Sequence, residues 1–196
     1  MIQPQPVTLA GSHVRLLPLN PEHLDGLCAV GLDEELWKWV PMRVLDRQAM
    51  QGYVELAFDE QRRGVSVPFT TTLKDTGRIV GCTRYANISV PDGRLEIGWT
   101  WIGKPWQRSP VNTEAKYLML RHAFEVLGCT RVELKTDGLN EKSRNAILRI
   151  GAKQDGILRK HTMTYSGRIR DTVYFSILDD EWPTVKAGLE AKLDRA

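Results

Sequence analysis

The chain has 196 residues, of which 26% are charged and 42% hydrophobic, and its formal net charge is +3. That length accommodates one domain with a substantial core, and the composition is too ordinary for wholesale disorder. So small a charge, with no basic stripe interleaved with aromatics, argues against nucleic-acid binding.

Residues 1–10 read as a loose leader. Val14–Leu19 forms a first strand closed by Asn20-Pro21, followed by helical segments over about 21–31 and 33–39. A longer helix runs from Asp46 to about Arg63, with Asp46 as N-cap and Gly64 as stop. Strands at about 66–74, 78–86 and 94–102 are separated by Asp75-Thr76-Gly77 and Pro91-Asp92-Gly93, the pattern of an antiparallel meander. Helix 110–127, strand 130–136, helix 141–150, strands 153–162 and 171–178 and a last helix at 180–193 complete the order. Strands first in a meander and then alternating with helices predict a mixed α/β sheet.

Cys28, Cys82 and Cys129 are widely spaced and include no CxxC pair. They argue against a disulfide framework or a structural zinc site, and suit a reducing, cytoplasmic setting. Cys82 and Cys129 fit best as small core residues. His13, His23, His122 and His161 are dispersed without metal-ligand spacing. No apolar run approaches the roughly 20 residues of a membrane helix, and no signal-peptide pattern opens the chain. A solvated face is the simpler reading of the basic clusters Arg159-Lys160-His161 and Arg168 with Arg170.

The most informative stretch is Leu95 to Glu125. Period-two alternation places Leu95, Ile97, Trp99 and Trp101 on one strand face and Arg94, Glu96, Gly98 and Thr100 on the other. Glu96 is then either the partner of a neighbouring arginine such as Arg84 or a general base whose pKa partial burial has raised. Downstream, Ser109 reads as an N-cap, Pro110 as the first helical residue, and Glu114 suits the first turn. Gln107 and Arg108 just upstream, with the unpaired amides of Val111, Asn112 and Thr113, would cradle a phosphate at the positive end of the helix.

A second helix start, Asn140-Glu-Lys-Ser-Arg-Asn-Ala146, has Asn140 as a cap. Asn140, Ser143 and, further along, Arg149 could hold a ligand lying across it. The P-loop, dinucleotide, zinc-protease and nucleophile-elbow motifs are all missing.

The order strand-E-I-G-W-turn-helix, then N-x-x-S with Gly151 eleven residues after Asn140, resembles the GNAT N-acetyltransferases. The RimJ/RimL branch, which acetylates protein N-terminal amines, is the nearest in appearance, and the tail from Arg170 to Trp182 resembles it too. The likeness runs from Val14 to about Trp182. It implies a GNAT-type α/β fold: a central, mostly antiparallel, splayed sheet flanked by helices, with acetyl-CoA in a V-shaped opening beside strand 94–102. A single acetyltransferase domain would occupy residues 11–182, with a C-terminal helix at 183–196.

The family's pyrophosphate loop aligns onto residues 107–112, where Pro110 and Asn112 replace the expected small residues. Cofactor contacts are implied for Trp101, Ile102, Gln107, Arg108, Ser109, Val111, Asn112, Thr113, Asn140, Ser143, Asn145 and Arg149. Many relatives carry a tyrosine acid where this chain has Ile147, which leaves Ser143 as the expected donor to the sulfur. Glu96 is the expected base, and backbone N–H groups of residues 100–102 would polarise the thioester.

Trp37, Trp39 and Tyr85 are the expected lining of the acceptor pocket. The acceptor implied is a peptide N-terminus. A small-molecule amine, such as an antibiotic or polyamine, is one alternative, and a non-catalytic acyl-CoA-binding module is another. No metal, nucleic acid or membrane partner is expected, and an exposed edge strand leaves room for a homodimer.

Overall fold

The computed structural model describes residues 2–195. One eight-stranded sheet organises them, in the order β1-β2-β3-β4-β5-β6-β8-β7. Its strands are β1 (Leu9–Ala10), β2 (Val14–Pro18), β3 (Val67–Leu73), β4 (Ile79–Ser89), β5 (Arg94–Ile102), β6 (Arg131–Asp137), β7 (Lys153–Met163) and β8 (Ile169–Leu178). Every pairing is antiparallel except that of β5 with β6. The helices are α1 (Leu24–Gly31), α2 (Arg47–Arg62), α3 (Pro110–Arg121), α4 (Glu141–Arg149) and α5 (Trp182–Leu193).

Local chemistry sets the helix ends where the sequence indicated. Asp46 Oδ1 accepts from the Ala49 amide at 2.8 Å, and Gly64, at φ 72°, ends α2 in the left-handed region that glycine enters without a Cβ penalty. Asn140 Oδ1 accepts from the Ser143 amide at 3.1 Å, so it does cap α4. Helix α3 ends in a π-helical turn, His122–Val126.

Two apolar clusters cover the two faces of the sheet. One gathers Val14, Phe69, Tyr85, Leu95 and Ile97 with Leu118 and Met119 of α3, Ile147 of α4 and Leu189 of α5. The other gathers Leu27, Met50, Tyr53, Cys82 and Trp101 under α1 and α2. Cys82 and Cys129 are buried free thiols, as their setting in the sequence suggested. Burial pushes the Cys129 thiol up to about 11, as expected for an inert core cysteine.

The first residues are not loose. Ile2 is buried in the first cluster, and β1 pairs with β2. Glu114 explains how that end is held. Its carboxylate accepts from the backbone amides of Ser12, His13 and Val14, each at 2.7 Å. A carboxylate with several amide donors is a charge-assisted cluster, and because Glu114 falls in the second turn of α3, this replaces the helix-dipole role that the sequence suggested.

Candidate active site

A widening gap in the sheet creates the site. β5 and β6 pair only through Arg94↔Arg131, Leu95↔Val132 and Glu96↔Glu133, and beyond Glu96 the two strands diverge. Parallel neighbours that stop pairing expose backbone donors and acceptors on both edges. The resulting cleft has a volume of about 1490 Å³ and extends from Ile97–Ile102 and Leu134–Thr136 to the start of α3.

A β-bulge in β5 changes which residues face which side. Gly98 lies opposite Arg84 and Trp101 opposite Cys82, so β5 spends one residue more than β4 over this interval. Trp99 absorbs it, with φ at 53°. The strict alternation read from the sequence therefore fails at this point. Leu95 and Ile97 pack on the α3 side, whereas Trp99 and Trp101 pack against the α1–α2 cluster. A second irregularity, at Asn87 with φ 47°, follows Ala86, the residue opposite Glu96.

The structure brings most of the expected cofactor residues into one wall. Trp101, Ile102, Gln107, Arg108, Ser109, Asn112, Thr113, Asn140, Ser143, Asn145 and Arg149 all line the cleft. Val111 does not; it is buried in the core, and its amide points to Ser109 Oγ at 3.4 Å. Ser109 Oγ also donates to the Trp106 carbonyl at 2.6 Å, so the cap is locked from both sides. The side chain of Gln107 is committed to protein. Its Nε2 donates to the Ile102 carbonyl at 2.9 Å, and its Oε1 accepts from Lys142.

That leaves Arg108 and the first-turn amides to meet an anion. Arg108 is exposed, has φ 61°, and makes no ion pair among the described residues. Asn112 lies in the first turn of α3, where the helix supplies no carbonyl to its N–H, whereas the Thr113 amide, expected to be unpaired, is the first to meet a helical carbonyl, that of the cap Ser109. Asn112 Oδ1 is buried without a partner, and Arg149 Nη2 donates to Thr113 Oγ1 at 2.9 Å, tying α4 to α3. The donor set fits a diphosphate.

The expected base sits differently. Glu96 is 3% exposed and outside the cleft lining, and its Oε2 contacts Lys135 Nζ at 2.9 Å and Asn87 Nδ2 at 2.7 Å. Arg84, its anticipated partner, pairs with Glu60 instead, at 3.0 Å.

Of the expected acceptor residues, Trp39 lines the cleft, and its carbonyl accepts from Arg170 Nη1 at 2.8 Å. Trp37 reaches the cleft only at its edge, because its ring is buried against Tyr53 and Trp101 and its Nε1 donates to the Gly31 carbonyl. Tyr85 is a correction. It is a core residue, packed on Phe69 and His122, with its hydroxyl donating to the Met119 carbonyl at 2.7 Å. Arg170 is a second correction, since it is buried at the cleft wall and not part of a solvated face.

Sequence reasoning missed Lys116, Thr100, Lys135 and Arg170 as cleft residues. For Lys116 a signal existed. It lies in a helix flanked by Ala115, Leu118 and Met119, apolar on most sides, so a lysine there had to enter the interior.

Comparison with known proteins agrees with this geometry. Residues 13–153 match the Acetyltransferase (GNAT) domain family. The chain belongs to the GNAT acetyltransferases. The crystal structure of a putative acetyltransferase from T. thermophilus superposes with a TM-score of 0.88 at 36% identity, covering 98% of this chain and 100% of the other. A putative ribosomal N-acetyltransferase, YdaF of Bacillus subtilis (strain 168), is 33% identical over 106 residues, 54% of this chain and 57% of YdaF. RimJ of Mycobacterium smegmatis, solved with CoA-disulfide, shares the fold at 23% identity, TM-score 0.82, with 95% of each chain covered. These relatives agree with the RimJ/RimL-like branch. The protein is thus an acetyltransferase. Among the described residues no group of three or more His, Cys, Asp or Glu could hold a metal ion, and no helix is long and apolar enough to cross a membrane.

Proposed function

We propose that the protein transfers an acetyl group from acetyl-CoA to a primary amine, a protein N-terminal α-amine in particular, by direct attack in a ternary complex. The observation that carries this reading is the unpaired opening between β5 and β6, which leads directly to the free first turn of α3. Acetyl-CoA supplies the activated acyl group. In this reading Arg108 and the Asn112 amide hold its diphosphate, with Asn140, Asn145 and Arg149 flanking it.

At the reacting end, the released backbone of β5 beyond the bulge offers N–H groups to the thioester oxygen. Glu96 takes the proton of the attacking amine through water, because its carboxylate sits behind the cleft wall beside Lys135. Ser143 donates a hydrogen bond to the leaving sulfur. Well-oriented reactants alone contribute on the order of 7–11 kcal/mol to the barrier reduction.

A peptide acceptor is favoured by the breadth of the cleft, whose lining runs from Asp33, Glu35 and Trp39, with Arg170 beside Trp39, to Leu139 and Lys142. The two carboxylates suit an incoming ammonium. An enclosed small-molecule pocket would need a tighter, more apolar surround. The test is acetyl transfer from acetyl-CoA to a panel of N-terminal peptides, polyamines and aminoglycosides, followed by mass spectrometry. Peptide acetylation at the α-amine is expected. Turnover confined to polyamines or aminoglycosides would move the acceptor to the small-molecule class. Coenzyme A binding without any transfer would indicate a binding module.

A further inference from the structure

Lys116 is a primary amine that the mechanism above leaves unused. It projects from the second turn of α3 to the wall of the cleft, and its residue is 7% exposed. Its Nζ donates to Thr100 Oγ1 at 2.6 Å, and Thr100 Oγ1 is 2.7 Å from Thr83 Oγ1. No carboxylate lies within 4.0 Å of it among the described residues. A buried lysine without a counter-ion costs stability, so its retention at a substrate cleft calls for a use.

The proton balance of the reaction has a matching gap. Departing thiolate needs an acid, and position 147, where the family resemblance implied a tyrosine acid, holds a buried isoleucine. Ser143 can donate a hydrogen bond but is far too weak an acid to surrender a proton to a thiolate whose thiol has an ordinary pKa, about 8.5. We propose that Lys116 is the acid that delivers the proton to the departing coenzyme A sulfur, its amine held at the cleft wall by the Thr100–Thr83 hydroxyl pair. This rests on the acetyl-transfer reading above.

Lys116 gives one proton to sulfur as the carbon–sulfur bond breaks, its electron pair remaining on sulfur while the acyl carbon bonds to the acceptor nitrogen. It recovers a proton, by way of water in the cleft, from the one that the acceptor nitrogen sheds. No oxidant or further reactant is required.

The surroundings tune the amine for that exchange. Burial lowers its pKa to about 7, and Glu96 on β5 acts in the opposite direction. The other charged groups nearby are engaged elsewhere. Glu114, on the same helix, is turned to the amides of Ser12–Val14, Lys135 of β6 pairs with Glu96, and Arg149 of α4 is bonded to Thr113. Thr83, from β4, is neutral. Lys116 therefore exchanges its proton close to neutral pH, as an efficient acid must.

The decisive measurement is the pH titration of the coenzyme A thiol bound to the full chain, followed by thiolate absorbance, in wild type and in Lys116→Met. Bound thiol should ionise at least about one pH unit lower beside Lys116 than in the variant. In steady state, K116M should lose turnover on the order of 100-fold with its KM for acetyl-CoA within about threefold, and lose the alkaline limb of kcat. Ser143→Ala should keep that limb. Identical thiol titrations in wild type and K116M, or an unchanged alkaline limb, would overturn the proposal. Should K116M fail to fold, Thr100→Val must raise the bound thiol's ionisation pH, and no shift there counts equally against it. If wild type binds no coenzyme A at all, the acetyl-transfer reading falls first, and this inference with it.

Discussion

Arg84 and Lys116 approach β5 from its two sides, Arg84 from β4 beneath α2 and Lys116 from α3. Both are buried basic residues whose contacts lie beside the bulge at Trp99, Arg84 opposite Gly98 and Lys116 on Thr100. Arg84 is clamped. Its guanidinium lies 4.9 Å from the Tyr53 ring and 4.6 Å from the Trp99 ring, and Nη1 reaches Glu60 at 3.0 Å. Lys116 has one neutral hydroxyl as partner. An arginine keeps its charge at any attainable pH, so Arg84 can only serve the architecture, holding Trp99 in its unusual backbone conformation. A lysine gives up its proton when desolvated. Charge that cannot leave is built around, and charge that can leave is placed where protons move.

The contrast is open to attack at four points. Arg84→Ala should destabilise the fold by about 3 kcal/mol, because it empties a stacked aromatic site and strands Glu60; urea midpoints measure this. K116M should do the reverse. With a folded-state pKa of about 7 against an ordinary 10.5, the native state binds fewer protons than the unfolded chain between those values, so wild-type stability rises with pH across that window. K116M should therefore be the more stable protein below pH 7, by an amount on the order of 5 kcal/mol, the advantage vanishing above pH 10.5. A pH series of thermal unfolding curves without this convergence would mean that Lys116 is not held neutral.

Glu96→Gln bears on both functions. It should cut turnover on the order of 100-fold if the carboxylate is the base, and unaltered turnover would remove it from that role. Because Glu96 is also the group that raises the Lys116 pKa, the alkaline limb should move to lower pH. Arg108→Ala should have the smallest effect. An exposed cation facing a diphosphate should change the KM for acetyl-CoA about tenfold at low salt and leave stability alone.

Much of the frame is legible in the sequence. Asp46, Ser109, Pro110 and Asn140 are capping residues whose chemistry acts within one turn, and each lies where sequence placed it. The wall of the cleft was readable for the same reason, since its residues belong to two helix starts. What escaped depends on non-local geometry. A bulge leaves no mark on the local pattern of Leu95 to Ile102, so the face assigned to Trp99 and Trp101 is wrong, and of the two readings of Glu96 the structure overturns the one that paired it with Arg84. Tyr85 looked like an aromatic of a pocket, and only the packing of α3 on β4 turns it inward.

The grip of Glu114 on Ser12, His13 and Val14 has a practical side. The helix start that faces the diphosphate is fastened, two residues beyond Asn112, to the opening segment of the chain. Trimming the protein to begin after residue 14 would strand a carboxylate in the interior beneath that turn. Shortened versions should bind coenzyme A more weakly even though every cleft residue is still encoded.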